Sequence, residues 1–297
     1  MSPTSTSRHR DWRLLPAAAA LLGLALAGCV QVEARPLAQQ TLSTADITLP
    51  VDGRQRSYLL EPALTPSTDG RAALVVVLHQ EGGTPRGVAA ETALQELRTQ
   101  GATLAYPAGV DRSWGAGKCC GAASREGVDD VRFLEAVMHD ARRRTRAHPS
   151  RTALVGYSSG GMLAYRYVCS RPRTLAAAVV VSGSLESSCD GGKSFPDVLA
   201  LHGKADGTIG LNRPIFTKAL GLAPRPAAST LGILAKSAGC QVRPATTRVA
   251  REERRRWEGC RGGSLEALLV TDAGHGWATL DASRRTRDFL RTRLLSG

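Results

Sequence analysis

The 297-residue chain carries a formal net charge of +13, yet only 4% of its residues are aromatic. With few stacking platforms and no helix-turn-helix or zinc-finger pattern, nucleic-acid binding is set aside, and the basic clusters at Arg142–Arg146, Arg251–Arg256 and Arg284–Arg287 read as solvated faces. The seven cysteines fit no zinc spacing, so no metal site is expected, and no cofactor is implied.

In chain order, the first segment is a leader. Arg8, Arg10 and Arg13 precede an apolar run, Leu14–Ala27, of secretory rather than membrane-spanning length. It ends in Leu26-Ala27-Gly28-Cys29, which resembles a bacterial lipobox. The expected map is a lipoprotein signal peptide over 1–28, a tether over 29–43 lipidated at Cys29, and one domain over 44–297. The protein is then exported to the bacterial cell envelope and meets the membrane through its N-terminal lipid; full secretion behind an ordinary signal peptide is the alternative. It is expected to act as a monomer.

Alternation in Ile47–Val51 and Ser57–Leu60 predicts two strands around an Asp52-Gly53 turn. The continuous apolar run Ala73–Leu78 predicts a strand buried on both faces, ending in the loop His79-Gln80-Glu81-Gly82-Gly83. Helices are predicted near 87–99, 128–146, 159–170, 229–238 and 281–295. Their alternation with apolar strands predicts an α/β fold, a mostly parallel central sheet with helices on both faces. Residues 207–228, with Pro214, Pro224 and Pro226, read as an irregular insertion.

The most informative stretch is Gly156-Tyr157-Ser158-Ser159-Gly160-Gly161, between an apolar strand and a helical run. Strand, G-x-S-x-G and helix in succession describe an elbow that exposes a serine nucleophile and leaves the Ser159 amide to face an oxyanion. A serine hydroxyl needs a base, and the base needs a third group to orient it. Downstream, the apolar run Val198–Leu201 leads to a turn bearing Asp206, and Ala267–Val270 leads to His275 between two glycines. The expected triad is Ser158, Asp206 and His275, with Asp272 too near His275 in the same loop to face its Nδ1. The second oxyanion amide is expected in the Gln80–Glu81 segment.

Apart from Cys29, the cysteines are Cys119, Cys120, Cys169, Cys189, Cys240 and Cys260. An even number in an exported chain predicts up to three disulfides. Cys240–Cys260 is the first expectation; Cys119 and Cys120 are expected to bond outward, to Cys169 and Cys189, rather than to each other.

The chain resembles the secreted polyhydroxybutyrate-depolymerase-like and feruloyl-esterase-like branch of the α/β-hydrolases. The resemblance rests on Leu78-His79 with Gly82-Gly83, Tyr106-Pro107-Ala108-Gly109 leading to Ser113-Trp114, Cys119-Cys120-Gly121, and Val128-Asp129-Asp130-Val131 with Phe133. The elbow, His202-Gly203 before Asp206, and Gly274-His275 with Trp277 complete it, from about residue 44 to the C-terminus. It implies a serine esterase acting on short hydroxyacyl oligoesters or feruloyl- or acetyl-type esters. His79, Trp114 and Trp277 are candidates for substrate contact. Low aromatic content weighs against an extended sugar cleft. The family usually carries His-Gly-x-Gly-Gly in the oxyanion loop, whereas Gln80 stands here at the first glycine; the adjacent Glu81 would oppose an oxyanion if its carboxylate pointed inward. A binding protein that kept the fold and lost the chemistry, or a serine peptidase of the same fold, are the alternatives.

Overall fold

The computed structural model describes residues 43–65, 70–190 and 194–295. The expected signal peptide over 1–28, Cys29 and nearly all of the expected tether over 29–43 lie outside the described residues.

Two strands, β1 (Ala45–Val51) and β2 (Arg54–Glu61), form an antiparallel hairpin. Asp52 and Gly53 at its tip both take positive φ, 49° and 75°, the backbone of a tight two-residue hairpin turn, and short Asp and side-chain-free Gly tolerate it best. The remaining strands are β3 (Ala73–Leu78), β4 (Ala102–Pro107), β5 (Thr152–Tyr157), β6 (Ala177–Val181), β7 (Asp197–Gly203), β8 (Ala245–Val249), β9 (Glu252–Trp257) and β10 (Leu265–Val270). The ten strands form one sheet in the order β1-β2-β4-β3-β5-β6-β7-β10-β9-β8. Its six central strands, β4 to β10 in that order, are parallel, and antiparallel pairs flank them on both sides.

Alternation of side chains along each strand assigns the core to two faces. Leu74, Val76 and Leu78 of β3 join one cluster, with Phe133, Leu134 and Val137 of α3 (Asp130–Thr145), Leu163 and Tyr167 of α4 (Ser159–Ser170), and Leu231 and Leu234 of α5 (Ala227–Ser237). Ala73, Val75 and Val77 join the other, with Val88 of α1 (Pro85–Thr92) and Phe289 and Leu290 of α6 (Ala282–Leu290). Helices thus cover both faces, which explains the uninterrupted apolar runs of the central strands. A five-residue helix, α2 (Gly121–Arg125), lies between β4 and α3. The sequence is foldable locally as well: Thr84 caps α1 by accepting from Gly87 N at 3.0 Å, with Pro85 in the first turn.

The hairpin β8–β9 was not foreseen, because its arginines disguise a strand. In β9 the side chains alternate: Glu253 and Trp257 are buried, while Arg254 and Arg256 reach outward to Glu266. The segment expected to be an irregular insertion over 207–228 is irregular as far as residue 226, and α5 begins one residue later.

The disulfide expectation needs one correction. Cys240–Cys260 is present, but Cys169 pairs with Cys189, and Cys119 pairs with Cys120. Cys120 Sγ packs 3.8 Å from Met162 Sδ, near the start of α4. Cys169 lies seven residues further along that helix, about 10 Å at 1.5 Å per residue, beyond the Cα separation of about 7 Å that a disulfide spans. Cys189 instead meets it at a Cα separation of 4.9 Å. Among the described residues, no helix is long and apolar enough to cross a membrane.

Candidate active site

Ser158 follows the last residue of β5 and precedes the first of α4. Its backbone sits at φ 54°, ψ −118°, a conformation that L residues rarely adopt and that surrounding contacts must hold. Ser158 N donates to Val181 O of β6 at 2.9 Å, and Met162 N to Ser158 O at 3.0 Å. The glycines at either side allow close approach. A Cβ at Gly156 would run into the backbone of Gly160, and one at Gly160 would lie 2.6 Å from Leu78 O, at the end of β3. The elbow is therefore pressed against the start of the loop that follows β3.

The acid and the base come from the loops after β7 and β10, two neighbouring parallel strands. Lys204 N donates to Val270 O at 2.9 Å and Ala205 N to Ala273 O at 3.0 Å, so the two loops are joined backbone to backbone. Asp206 is buried. Its Oδ1 accepts from the amides of Thr208 and Ile209, each at 2.8 Å, which leaves Oδ2 for His275 Nδ1 at 2.9 Å. His275 Nε2 lies 2.9 Å from Ser158 Oγ. Burial alone would raise the Asp206 pKa, but the hydrogen bond and charge of His275 and the Ile209 N–H outweigh it and hold the carboxyl below its usual range. With Asp206 ionised, Nδ1 carries the imidazole proton and Nε2 accepts from the Ser158 O–H. Asp272, the acid set aside from the sequence, is on the surface at positive φ and 3.7 Å from Arg251.

Two residues of this site were named in the sequence motifs without a role. His202, on β7, lies with Nε2 2.9 Å from Ile209 O and 3.6 Å from Asp206 Oδ2. Burial lowers its pKa, which keeps it neutral, so its N–H goes to the Ile209 carbonyl and braces the turn that holds Asp206. Tyr157, the variable residue of the elbow, stacks on His275 with ring centroids 5.8 Å apart and meets Trp277 edge-on at 6.0 Å. A large aromatic directly before the nucleophile was the available signal.

In the loop after β3, Gly82 N donates to Arg112 O and Gly83 N to Gln80 O, both at 2.9 Å. Among the described residues, no backbone carbonyl takes the amides of Gln80 and Glu81, and no side chain caps the first turn of α4, where the Ser159 amide lies. The three candidates for substrate contact are inside the protein. His79 and Trp114 are fully buried and pack on one another at 4.6 Å, with Trp114 Nε1 donating to His79 O at 2.8 Å. His79 Nε2 accepts from Gly109 N at 3.1 Å. Trp277 is 3% exposed and donates to Ser283 Oγ at 2.8 Å. Their side chains shape the loops around the site and offer no face to a substrate.

The chain is 32% identical over 232 residues to the provisionally assigned esterase NocK of Nocardia uniformis subsp. tsuyamanensis, covering 72% of this chain and 64% of that protein. It is 28% identical over 168 residues to feruloyl esterase C of Emericella nidulans, covering 54% of this chain and 58% of that one. In each case the match spans less than two thirds of the relative's own length. An acetyl xylan esterase from Aspergillus awamori shares the fold, with a TM-score of 0.65 over 84% of this chain and 99% of that structure, at 17% identity. No family model matches the chain.

Proposed function

We propose that this chain, an α/β-hydrolase by fold and a relative of feruloyl esterase C and NocK, is a serine carboxylic-ester hydrolase. The observation that carries the reading is the single imidazole of His275, 2.9 Å from Ser158 Oγ on one side and 2.9 Å from Asp206 Oδ2 on the other. A buried acid, an oriented base and a hydroxyl in that order form the arrangement acyl transfer needs.

In this mechanism Ser158 Oγ attacks the ester carbonyl as its proton passes to His275 Nε2. Asp206 stabilises the imidazolium without taking its proton. The amides of Ser159 and of the Gln80–Glu81 segment hold the tetrahedral oxyanion. Collapse expels the alcohol, which receives the proton from Nε2. A water, deprotonated by the same nitrogen, then attacks the acyl-enzyme; its proton returns to Ser158 Oγ as the acid departs.

Small esters of feruloyl or acetyl type are the proposed substrates by analogy with the named relatives, and short hydroxyacyl oligoesters by the resemblance of the sequence. Three disulfides fit an oxidising compartment and support export; the leader over 1–28, the lipid at Cys29 and the domain beginning near residue 44 belong to the same proposal. A binding role on this fold is the rival that the inward carboxyl of Glu81, described below, would favour.

Hydrolysis of p-nitrophenyl acetate, butyrate and octanoate by the protein and by Ser158→Ala tests the reading. Turnover in the variant should fall by about four to six orders of magnitude, and a fluorophosphonate should label the parent protein alone. Equal turnover in both would refute the assignment; a folded parent that neither turns over ester nor takes the label would favour the binding role. Faster cleavage of a peptide than of an ester would make it a peptidase.

A further inference from the structure

The loop after β3 carries a side chain that the proposed mechanism leaves unused. Glu81 turns its carboxyl inward. Oε1 lies so close to Gly121, the first residue of α2, that a Cβ there would collide with it and with Ser113. Oε2 is sealed from solvent and has no hydrogen-bond partner among the described residues. Ser159 Oγ is sealed and unpartnered in the same way and lies beside this carboxyl. Ser159 is the residue whose amide would hold the oxyanion, and its neighbour Ser158 is the nucleophile.

The charged groups that act on Glu81 come from two elements. Arg125 at the end of α2 favours the carboxylate, and Asp111 in the loop after β4 disfavours it. Burial, reinforced by Asp111, outweighs the neighbouring Ser159 hydroxyl and Arg125, which favour the carboxylate, and pushes the carboxyl up to about 6. Neither cation nor amide closes on Oε2, so an ionised Glu81 would be an uncompensated charge beside the position where negative charge develops in the transition state.

We propose that ester hydrolysis runs with Glu81 in its protonated, neutral form, and that ionisation of this one side chain sets the upper pH limit of the reaction. The proposal rests on the Ser158 reading given above. Its sign follows from charge. As pH rises Glu81 becomes a carboxylate that repels the oxyanion. Repulsion between two unit charges a few ångströms apart in a partly solvated site slows the reaction by about tenfold or more.

The test is kcat/KM for p-nitrophenyl acetate from pH 5 to 9, followed by acetate release, for the full chain, Glu81→Gln, Glu81→Ala and a Ser158→Ala blank. The expected wild-type profile is a bell that declines on its alkaline side by about tenfold. Glu81→Gln and Glu81→Ala should rise to a plateau that persists to pH 9 and overtake the wild type by about tenfold at pH 8. A merely structural role would scale the whole profile and leave its shape. A Ser158-dependent wild-type profile that stays flat to pH 9 would overturn the proposal without any variant. An alkaline decline that survives in both variants would do the same while leaving the triad standing. Turnover that does not depend on Ser158 would overturn the triad and this proposal together.

Discussion

The role proposed for Asp206 rests on how its carboxyl is surrounded rather than on its being acidic. The amides of Thr208 and Ile209 saturate Oδ1, His202 braces the Ile209 carbonyl, and Oδ2 is left with one partner, His275 Nδ1. Asp206→Asn would keep the size and most of these contacts. An amide in that position can donate to Nδ1, which would stabilise the tautomer with its proton on Nε2 and remove the acceptor that Ser158 needs. We expect kcat to fall by about three to four orders of magnitude with KM little changed; a fall below tenfold, in a variant that folds, would remove Asp206 from the triad. The chain order of Ser158, Asp206 and His275 was legible because each follows an apolar strand. His202 was not, since a histidine inside an apolar strand looks the same in sequence whether it faces a helix or a neighbouring acid. Glu81 was legible as a carboxylate beside the Gln80 departure, but the direction of its carboxyl depends on Gly121, forty residues away.

The elbow works because two parallel neighbours, β3 and β5, end side by side and their loops share one space. Gly160 is where they touch, with Leu78 O and His79 O across from its Cα. Gly160→Ala would force α4 and the β3 loop apart. Overpacking of this kind costs about 1–3 kcal/mol, about 2–10 °C in Tm for a domain of this size, and the displaced Ser159 and Glu81 amides should reduce kcat by at least about tenfold. An unchanged melting temperature and kcat would show that the contact is not tight. Strand and helix periods revealed the central β-α alternation and α4 to its bounds. They did not reveal the β8–β9 hairpin, whose burial comes from ion pairs and one tryptophan rather than from an apolar face. The pairing of Cys119 with Cys120 escaped for a related reason: it depends on which cysteine each side chain faces, and spacing does not carry that.

Across the molecule, the order of strands reverses between β3 and β5, since the chain moves outward from β3 to β4 and returns to β5 on the other side. Loops diverge at such a point and leave a crevice at the carboxyl ends of the strands, which is where Ser158 and the loop after β3 sit. The far side of the sheet is secured differently. Glu253 of β9, buried, takes Lys204 Nζ at 2.8 Å, Arg248 Nε at 3.0 Å and Arg255 Nε at 2.7 Å, joining the edge hairpin to the turn before Asp206. The hydrogen bond from Lys204 and those from the two arginines hold its carboxyl down at about 2. A depressed carboxylate stabilises the fold above its unfolded pKa of about 4.5, and that contribution is lost as pH falls towards 2. Because the cations face solvent, we expect Glu253→Gln to cost about 1–2 kcal/mol at pH 7 and to flatten the loss of urea midpoint between pH 5 and 2. A variant with the same acid profile as the parent would show that the cluster adds nothing. Periodicity, glycine placement and residue order are local, and they were enough to mark the α/β class, the strand-turn-helix at Ser158 and the two residues, Asp206 and His275, that the fold places in line with it. The burial of His79, Trp114 and Trp277 and the inward turn of Glu81 are contacts between segments far apart in the chain, and they exist only once the sheet has brought those segments together; the bracing by His202 and the Cys119–Cys120 pairing are short in sequence but depend on which way the folded backbone turns each side chain.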